Sequence, residues 1–460
     1  MSRIRKNIDS LSDAELSDFE YAVLKVKQIS EDDPESKDGY DYFAALHNDI
    51  DVGPCEHGRE TFLPWHRAHL WEFENALRRS DPPRTSNVTI PYWDWSQMPS
   101  GNRFPEIFED TSSPLYAVGR NPSSVGNKVP FPWSLLKNDV LSVSKWSGND
   151  SFGGAKEIEE SNCGTHGRGG YGELEDPAHN SMHFTYIGGA MGNPESAAED
   201  PIFWVFHAFI DLLWWKWQQQ PGHSVDTGFN FRLCGLVRNS ATGERWVVKD
   251  TVATDLPPLG YSYEFTEPAL IPISPLHHPA AEMIAEAARP VVQLKTMDFN
   301  IPNTEPGRSM LSLEGIANLN QNSFDLLVFL TPQGQAVNPR SPAFVQEHLV
   351  ELLSIWQVHF QHAHHNSEHA TMDRRVDLTD ALKELSKNHS GEIWTVSVAA
   401  VADERIAVLE TGAHNEASAK VSAFNDDTQP VFDAVDNIGF TKMRLEIEED
   451  QDDKQSSTCV

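Results

Sequence analysis

The sequence predicts a mainly α-helical fold with long loops, followed by a smaller, strand-containing C-terminal domain. Four segments in the first half have apolar residues at helical spacing, and Gly-, Pro-, Ser- and Asn-rich stretches separate them. Further along the chain the composition becomes typical of strands. A chain of 460 residues can hold two or three domains. We therefore predict a helical domain, a linker, a β-rich domain and an acidic disordered tail, at 1–265, 266–295, 296–442 and 443–460 respectively.

The predicted helices of the first domain are 9–30, 62–80, 177–186 and 201–219. Asp9 or Ser10 can cap the first, and Pro177 and Pro201 lie in the first turns of the last two, where proline is tolerated. In the second domain, strand composition marks 293–299, 324–332, 392–401 and 405–412, and a helical pattern marks 343–359.

Composition excludes several function classes. The formal net charge of −32 opposes binding to nucleic acids. No apolar run approaches the roughly 18 residues of a membrane span, and the start of the chain has no apolar signal region. We expect a soluble protein that is cytoplasmic or exported without its own signal peptide. The four cysteines are too few for a disulfide scaffold, and Cys163 and Cys234 are predicted to be free thiols.

Six histidines in apolar, aromatic sequence fall into two groups of three. The groups are His47, His57 and His66, then His179, His183 and His207. Neutral imidazole is a common ligand for copper and zinc, and no carboxylate or thiolate occupies a matching place. The pattern therefore predicts two nitrogen-ligated metals.

The spacing within the groups supports this interpretation. His179 and His183 are four residues apart, so a helix places them on one face. His66 and His207 lie in strongly apolar helical segments, where a buried polar ring needs a partner. The third ligand of the first group is His47 or His57, and preferably both. A single such histidine is more often a hydrogen-bonded core residue, but six in two sets favour metal, with copper and zinc both suitable.

Five motifs then resemble the central domain of tyrosinases, the type 3 copper proteins, over about residues 40–220. They are HGRETFLPWHR, IPYWDWS, HNSMH, YIGGAMG and DPIFWVFHAFIDLLWWKWQ. The resemblance implies a four-helix bundle holding a dicopper centre that binds dioxygen. It assigns His47, His57 and His66 to the first copper, CuA, and His179, His183 and His207 to the second, CuB. Most relatives have a histidine pair where this chain has Phe206 before His207.

The resemblance also implies roles for three neighbours of the ligands. Cys55 forms a Cys-x-His motif with His57, as in fungal tyrosinases and molluscan hemocyanins, which implies a thioether between them; a free buried thiol is the alternative. Glu175 and Asn180 match a pair that holds a water for taking the proton of a phenol. Capping of the helix start is the alternative role for Glu175.

Several other polar residues receive structural or unspecific roles. Asp94 and Asp211 are predicted to be buried acids that support the site or tie helices together, with Arg67 as a candidate partner. His69 is expected behind the site or at the surface, and His166 is not expected to be a ligand. The His-rich stretch 359–369 is more consistent with a solvated polar segment than with a metal tract.

The predicted function is that of a tyrosinase, which hydroxylates monophenols and oxidises o-diphenols to o-quinones with dioxygen. Its substrates are small phenols such as tyrosine or catechols. The alternatives are a catechol oxidase without hydroxylase activity and a hemocyanin-like oxygen carrier. The pair Glu175 and Asn180 and a single copper domain favour the enzyme. In many relatives a C-terminal domain lies over the site as a lid, and 296–442 is predicted to do so here; stabilisation or copper delivery are alternative roles.

Overall fold

A computed structural model describes the chain in fifteen stretches. They are 3–48, 55–95, 105–120, 140–148, 150–156, 170–226, 231–234, 240, 242–265, 291–318, 324–339, 341–355, 372–402, 438–439 and 442–449. Described residues up to 265 belong to one compact unit and those from 291 onward to a second. Several predictions concern residues outside these stretches: Cys163, His166, the strand at 405–412 and the His-rich stretch 359–369.

The first unit is mainly helical. Its α-helices are α1 (Asp13–Asp32), α2 (Tyr40–Asn48), α3 (Phe62–Ser80), α4 (Pro82–Thr85) and α5 (Ile202–Gln218). Helix α3 packs against α1 and α5, and α1 packs against α2. Helices α3 and α5 coincide with the predicted helices 62–80 and 201–219 to within one residue. Both are buried on nearly all sides over most of their length, which is typical of helices at the centre of a core.

Helix α1 begins later than predicted. Ser12 accepts a hydrogen bond from the backbone of Glu15, whose carboxylate accepts one from the backbone of Ser12. This reciprocal pair satisfies two of the backbone N–H groups at the helix start. Asp9 and Ser10 belong instead to a separate 3₁₀ turn, Ile8–Ser10, so the prediction of a cap at either residue is wrong.

The third predicted helix, 177–186, is helical but not a regular α-helix. Two wide π turns, Leu174–His179 and Met182–Ile187, are joined by two α-helical residues. Asp176 has extended backbone angles (φ −132°, ψ 127°), which kinks the segment near its start. π turns occur frequently at functional sites.

Within the described residues, no helix is both long and apolar enough to cross a membrane.

A two-stranded parallel pairing closes the first unit. Strand β1 (Arg3–Arg5) pairs with β2 (Tyr261–Tyr263), with Arg3 opposite Tyr261. The two described ends of this unit therefore lie side by side.

The second unit contains two four-stranded sheets. Its strands are β3 (Val291–Asn300), β4 (Pro306–Asn318), β5 (Phe324–Pro332), β6 (Leu349–Ile355), β7 (Met372–Asp377), β8 (Ile393–Ala402), β9 (Ile438–Gly439) and β10 (Lys442–Glu449). One sheet has the order β10-β4-β7, with β9 also paired to β4, and the other has the order β3-β8-β5-β6. Buried side chains of both sheets share one hydrophobic core. Two helices accompany them, α6 (Pro342–His348) and α7 (Thr379–His389).

The structure corrects the predicted helix at 343–359. Helix α6 ends at His348, and the chain continues directly as β6, which pairs antiparallel with β5 from Leu349 opposite Phe329 to Ile355 opposite Phe324. The apolar residues of LVELLSI fit a strand buried between neighbours as well as they fit a helix. Tertiary pairing decided between the two.

The boundaries of the linker and the tail are also corrected. Strand β3 begins at Val291, inside the predicted linker 266–295. Strand β10 occupies the start of the predicted disordered tail, where Met443, Leu445 and Ile447 pack against the core. These apolar residues alternate with charged ones, the pattern of a half-buried strand. The tail prediction is therefore wrong for 443–449.

Candidate metal centre

Two groups of three histidines converge inside the first unit. Within each group the ligand nitrogens lie within 4.8 Å of one another, and all six side chains are buried. The groups are His47, His57 and His66, and His179, His183 and His207. They are the two sets that the sequence spacing predicts, and they come from helices α2, α3 and α5, the π-turn segment and the loop before α3.

Backbone carbonyls fix the tautomers in the first triad. His47 Nδ1 donates to the carbonyl of Pro194 (2.8 Å), and His66 Nδ1 donates to the carbonyl of Phe62 (2.9 Å). A carbonyl only accepts, so each Nδ1 carries the proton and each Nε2 keeps a lone pair. This is the arrangement in which a histidine ligates a metal through Nε2.

The second triad is held in the same way. His183 Nδ1 donates to the carbonyl of Met191 (2.9 Å), and His179 Nδ1 donates to the side-chain oxygen of Asn180 (2.9 Å). The Nε2 atoms of His183 and His179 then lie 3.1 Å and 3.4 Å from His207 Nε2.

These distances fit a bound metal. Two nitrogens that each lie about 2.0–2.1 Å from one ion in tetrahedral geometry are about 3.3 Å apart. In the first triad, Nε2 of His66 is buried and has no hydrogen-bond partner among the described residues. A buried polar atom without a partner is costly, and a metal would satisfy it. Both triads therefore match the donor set of a nitrogen-ligated metal.

The two triads adjoin each other. The rings of His66 and His207, one from each triad, stack with centroids 4.3 Å apart and planes 3° from parallel. The ring of Phe62 lies 4.7 Å from His66 and 4.8 Å from His179, again touching both triads. Two metals held here would be neighbours.

Burial keeps five of the six site histidines neutral. It lowers the pKa of His47 to about 4, and it lowers the pKa values of His66, His179, His183 and His207 well below the ordinary value. The unprotonated ring is the form that binds metal.

These pKa shifts predict acid sensitivity of the copper-free chain. Below about pH 6.5 the histidines of the unfolded chain become protonated, whereas the buried rings of the folded chain stay neutral. The free energy of unfolding therefore decreases as the pH falls towards about 4. His47 alone will lower the free energy of unfolding by about 1.4 kcal/mol for each pH unit in this range. We expect the urea midpoint to fall steadily from pH 7 to pH 5, and less steeply in His47→Gln. A midpoint constant over this range would contradict the prediction.

The predicted neighbours of the ligands lie beside both triads. Cys55 is fully buried, with Sγ 3.4 Å from Nδ1 of His57. The carboxylate of Glu175 accepts the backbone N–H of Gly58 at 2.9 Å and 3.1 Å, next to His57. Asn180 holds His179, as described above. Glu175 thus contacts the loop of the first triad, whereas Asn180 contacts a ligand of the second.

A buried charge network joins the helices that carry the ligands. Arg67, next to His66 on α3, donates through Nε to Asp211, which lies one turn after His207 on α5. Arg5 of β1 bridges Asp211 (3.2 Å) and Glu74 (2.9 Å). The predicted partnership of Asp211 with Arg67 agrees with these contacts. Asp94, also predicted to be buried, is 5% exposed.

Cys234 departs from its prediction. It is disulfide-bonded, so the free-thiol prediction is wrong for this residue. Pairing depends on proximity in the fold, which residue spacing does not reveal. Its carbonyl accepts a 2.6 Å hydrogen bond from the indole of Trp65, the residue before His66.

Sequence reasoning missed the carbonyls of Met191 and Pro194. One short segment therefore orients a histidine of each triad. A backbone carbonyl carries no residue-type signal, so no pattern could have indicated these contacts.

Comparison with known proteins identifies the family. Residues 37–220 match the model of the common central domain of tyrosinase. The chain is 33% identical to tyrosinase HcTyr1 of Hahella sp. strain CCB-MM4 over 57% of its own length and 63% of that protein's. It is 30% identical to the tyrosinase of Streptomyces glaucescens, with 48% of this chain covering 84% of that one. The chain belongs to the tyrosinase family.

Two solved structures share the fold. Latent apple tyrosinase superposes with a TM-score of 0.61 over 97% of both chains at 18% identity. A functional unit of octopus hemocyanin superposes with a TM-score of 0.53 over 97% of this chain and all of that one, at 15% identity. The tyrosinase family uses two copper ions, and the two histidine triads could hold CuA and CuB.

Proposed function

We propose that the protein is a tyrosinase, which o-hydroxylates monophenols and oxidises o-diphenols to o-quinones with dioxygen. The observation that carries the proposal is the side-by-side placement of two buried histidine triads, joined by the 4.3 Å stack of His66 on His207. We also infer that α2, α3, the π-turn segment and α5 form the four-helix bundle around the metals. The substrates are small phenols such as tyrosine or catechols.

In this proposal His47, His57 and His66 hold CuA, and His179, His183 and His207 hold CuB. When bound, the copper pair supplies the electron transfer between the phenol and dioxygen. The chain's own contribution is to orient six imidazoles, to shield them from bulk water and, at five of them, to keep the ring neutral through burial. Aromatic rings exclude water around them, since Phe203 lies 4.8 Å from His47 and Phe206 lies 4.9 Å from His183.

Glu175 and Asn180 are proposed to assist proton removal from a monophenol. A phenol has a pKa near 10, so a positioned acceptor helps it to react as phenolate. Asn180 orients His179 and also contacts Asp176 (3.3 Å), which places a second carboxylate beside it. Oxidation of a catechol depends less on this acceptor. The hydroxyls of a catechol are more acidic than that of a monophenol, and the catechol already has two of them on neighbouring carbons.

Asn180→Ala is predicted to lower the rate with a monophenol at least tenfold more than the rate with a catechol, since general-base assistance contributes roughly 10²–10⁴-fold. Initial rates with tyrosine and with a catechol measure the ratio. Asn193→Ala is the matched control: its side chain bonds only to the backbone of Glu195 among the contacts described, so its ratio should not change. An equal drop for both substrates in Asn180→Ala would remove this role.

We further propose a thioether between Cys55 and a ring carbon of His57. The 3.4 Å contact between Sγ and Nδ1 supports it. The bond forms with loss of two hydrogens, and dioxygen at the copper centre is the oxidant. After copper loading, reduction and denaturation, the peptide containing both residues should be two hydrogens lighter and resist alkylation; a copper-free sample is the control. Complete alkylation of Cys55 in the active protein would contradict the thioether.

One experiment tests the function itself. The full chain is loaded with copper, its copper content is measured, and oxygen consumption is followed separately with tyrosine and with a catechol. Two coppers and turnover of both substrates support a tyrosinase. Turnover of the catechol alone indicates a catechol oxidase, and reversible oxygen uptake without turnover indicates a carrier. A folded chain that binds no copper overturns the proposal.

Two further points concern the cellular location of the protein and the role of its second unit. The disulfide at Cys234 favours the exported alternative, because cytosolic proteins seldom keep disulfides. The role of the C-terminal unit as a lid stays a prediction.

A further inference from the structure

We propose that His69 is a positioning residue for CuA: it holds helix α2, and with it His47, in place against α3. The inference rests on the proposed copper site. Neither the spacing of the triads nor the six-ligand pattern requires a histidine at this position.

His69 is fully buried on α3, one turn after the ligand His66. Its Nε2–H donates to the backbone carbonyl of Phe43 on α2 at 2.8 Å. Phe43 precedes His47 by four residues, so its carbonyl lies one helical turn before the ligand. The contact therefore holds against α3 the turn of α2 that carries His47.

Helix α2 needs such an anchor. It has only nine residues, and helices this short are unstable unless tertiary contacts hold them. At its other end, the hydroxyl of Tyr40 donates to the carbonyl of Ala198 at 3.0 Å and accepts from the indole of Trp204 at 3.1 Å. His69 supplies the corresponding anchor near His47.

The imidazole of His69 also touches the helices of both triads. Its ring lies 4.7 Å from Trp65 on α3 and 4.8 Å from Trp204 on α5, and it stacks over His47 at 6.4 Å. Its Nδ1 is buried and has no hydrogen-bond partner among the described residues. A phenylalanine would fill this aromatic pocket without a partnerless nitrogen, so the donor to Phe43 is the feature that the imidazole adds.

The experiment compares three replacements of His69 in the full chain. His69→Phe keeps a ring but removes the donor. His69→Gln places an amide N–H near the position of Nε2, and His69→Asn is too short to reach the carbonyl of Phe43. Copper retained per chain is measured after dialysis against graded chelator, and thermal midpoints are measured with and without copper.

We expect His69→Phe and His69→Asn to bind one of their two coppers 10–100-fold more weakly, the usual effect of losing a group that orients a ligand. The rise of the thermal midpoint on copper loading should shrink in both variants. His69→Gln should restore most of the affinity.

Trp71→Phe is the matched control, because it removes a 2.8 Å bond from α3 to the carbonyl of Leu259, away from α2. It should lower the copper-free midpoint and leave both copper affinities unchanged. Wild-type affinity for both coppers in His69→Asn, or in a folded His69→Phe, would overturn the proposal and leave His69 as an ordinary core residue. If the unchanged chain fails to bind two coppers, the proposed function fails instead, whatever the variants do.

Discussion

Replacing Asp211 with asparagine will lower the free energy of unfolding by about 3–5 kcal/mol, the cost of removing one partner of a buried ion pair. Asp211 is 4% exposed and accepts hydrogen bonds from Arg67, Arg5, Tyr261 and Tyr263. Burial alone would raise its pKa, but the two arginines and the two hydroxyls outweigh burial and hold that pKa below its ordinary value. Asparagine keeps the shape and removes the charge that both guanidiniums need.

The measurement is urea unfolding of the copper-free chain at pH 7, so that metal binding does not contribute. Asp18→Asn is the matched control: Asp18 also pairs with an arginine, Arg84, but both side chains are about two-fifths exposed. Solvent-exposed pairs contribute about 0–1 kcal/mol, so the control should change little. A loss below about 1 kcal/mol in Asp211→Asn would mean that the network does not support the bundle.

A double-mutant cycle then tests whether the pair with Arg67 is the main contact. Arg67 is fully buried and lies 3.5 Å from the ring centroid of Trp214. In an Arg67→Met background, no charge at position 67 requires Asp211. Asp211→Asn should therefore lower the free energy of unfolding by less in that background. Equal costs in both backgrounds would assign the effect to Arg5 and the tyrosines.

The sequence predicted the triads well because their signal is local. His179 and His183 reveal themselves by a four-residue spacing, and that spacing keeps both rings on one side even though the segment forms π turns. The deep burial of His66 and His207 followed from their apolar helices. These inferences need only neighbouring residues, so they did not depend on knowing the fold.

Contacts between distant segments could not be predicted. Arg5 reaches Asp211 across 206 positions, and Pro194 meets His47 across 147. No residue pattern in these segments indicates which distant residue each will contact. The same limit explains β6, whose residues favour helix and strand almost equally until β5 lies beside them. Strand β10 was missed for a different reason, because its charged residues hid the alternation of Met443, Leu445 and Ile447.

The buried network and the triads share the same two helices, which gives the network a second consequence. Arg67 neighbours His66, and Asp211 lies one turn from His207. The ion pair thus ties α3 to α5 beside the stacked rings of these two ligands. Side chains that support a metal site must be fixed closely for it to bind its metals, and a buried ion pair between the two helices restricts their sliding.

Replacing His183 with alanine will leave one copper per chain instead of two and reduce catechol oxidation more than 100-fold. Losing a group that merely orients a ligand costs roughly 10–100-fold, so losing a ligand should cost more. His183 contributes the Nε2 atom that lies 3.1 Å from His207 Nε2, closer than Nε2 of His179 at 3.4 Å. Copper analysis after dialysis and oxygen consumption with a catechol measure the two effects.

His348→Ala is the matched control, because His348 is also buried but bonds to Gln335 at 2.8 Å in the second unit. It should keep two coppers. Full activity with one copper in His183→Ala would show that a single metal suffices, and the paired triads would then lose their proposed purpose. Two coppers with lost activity would remove His183 from the ligands and give it a role towards the substrate. Only the joint loss of one copper and of turnover fits a dinuclear centre, because dioxygen chemistry shared between two metals stops when either is missing.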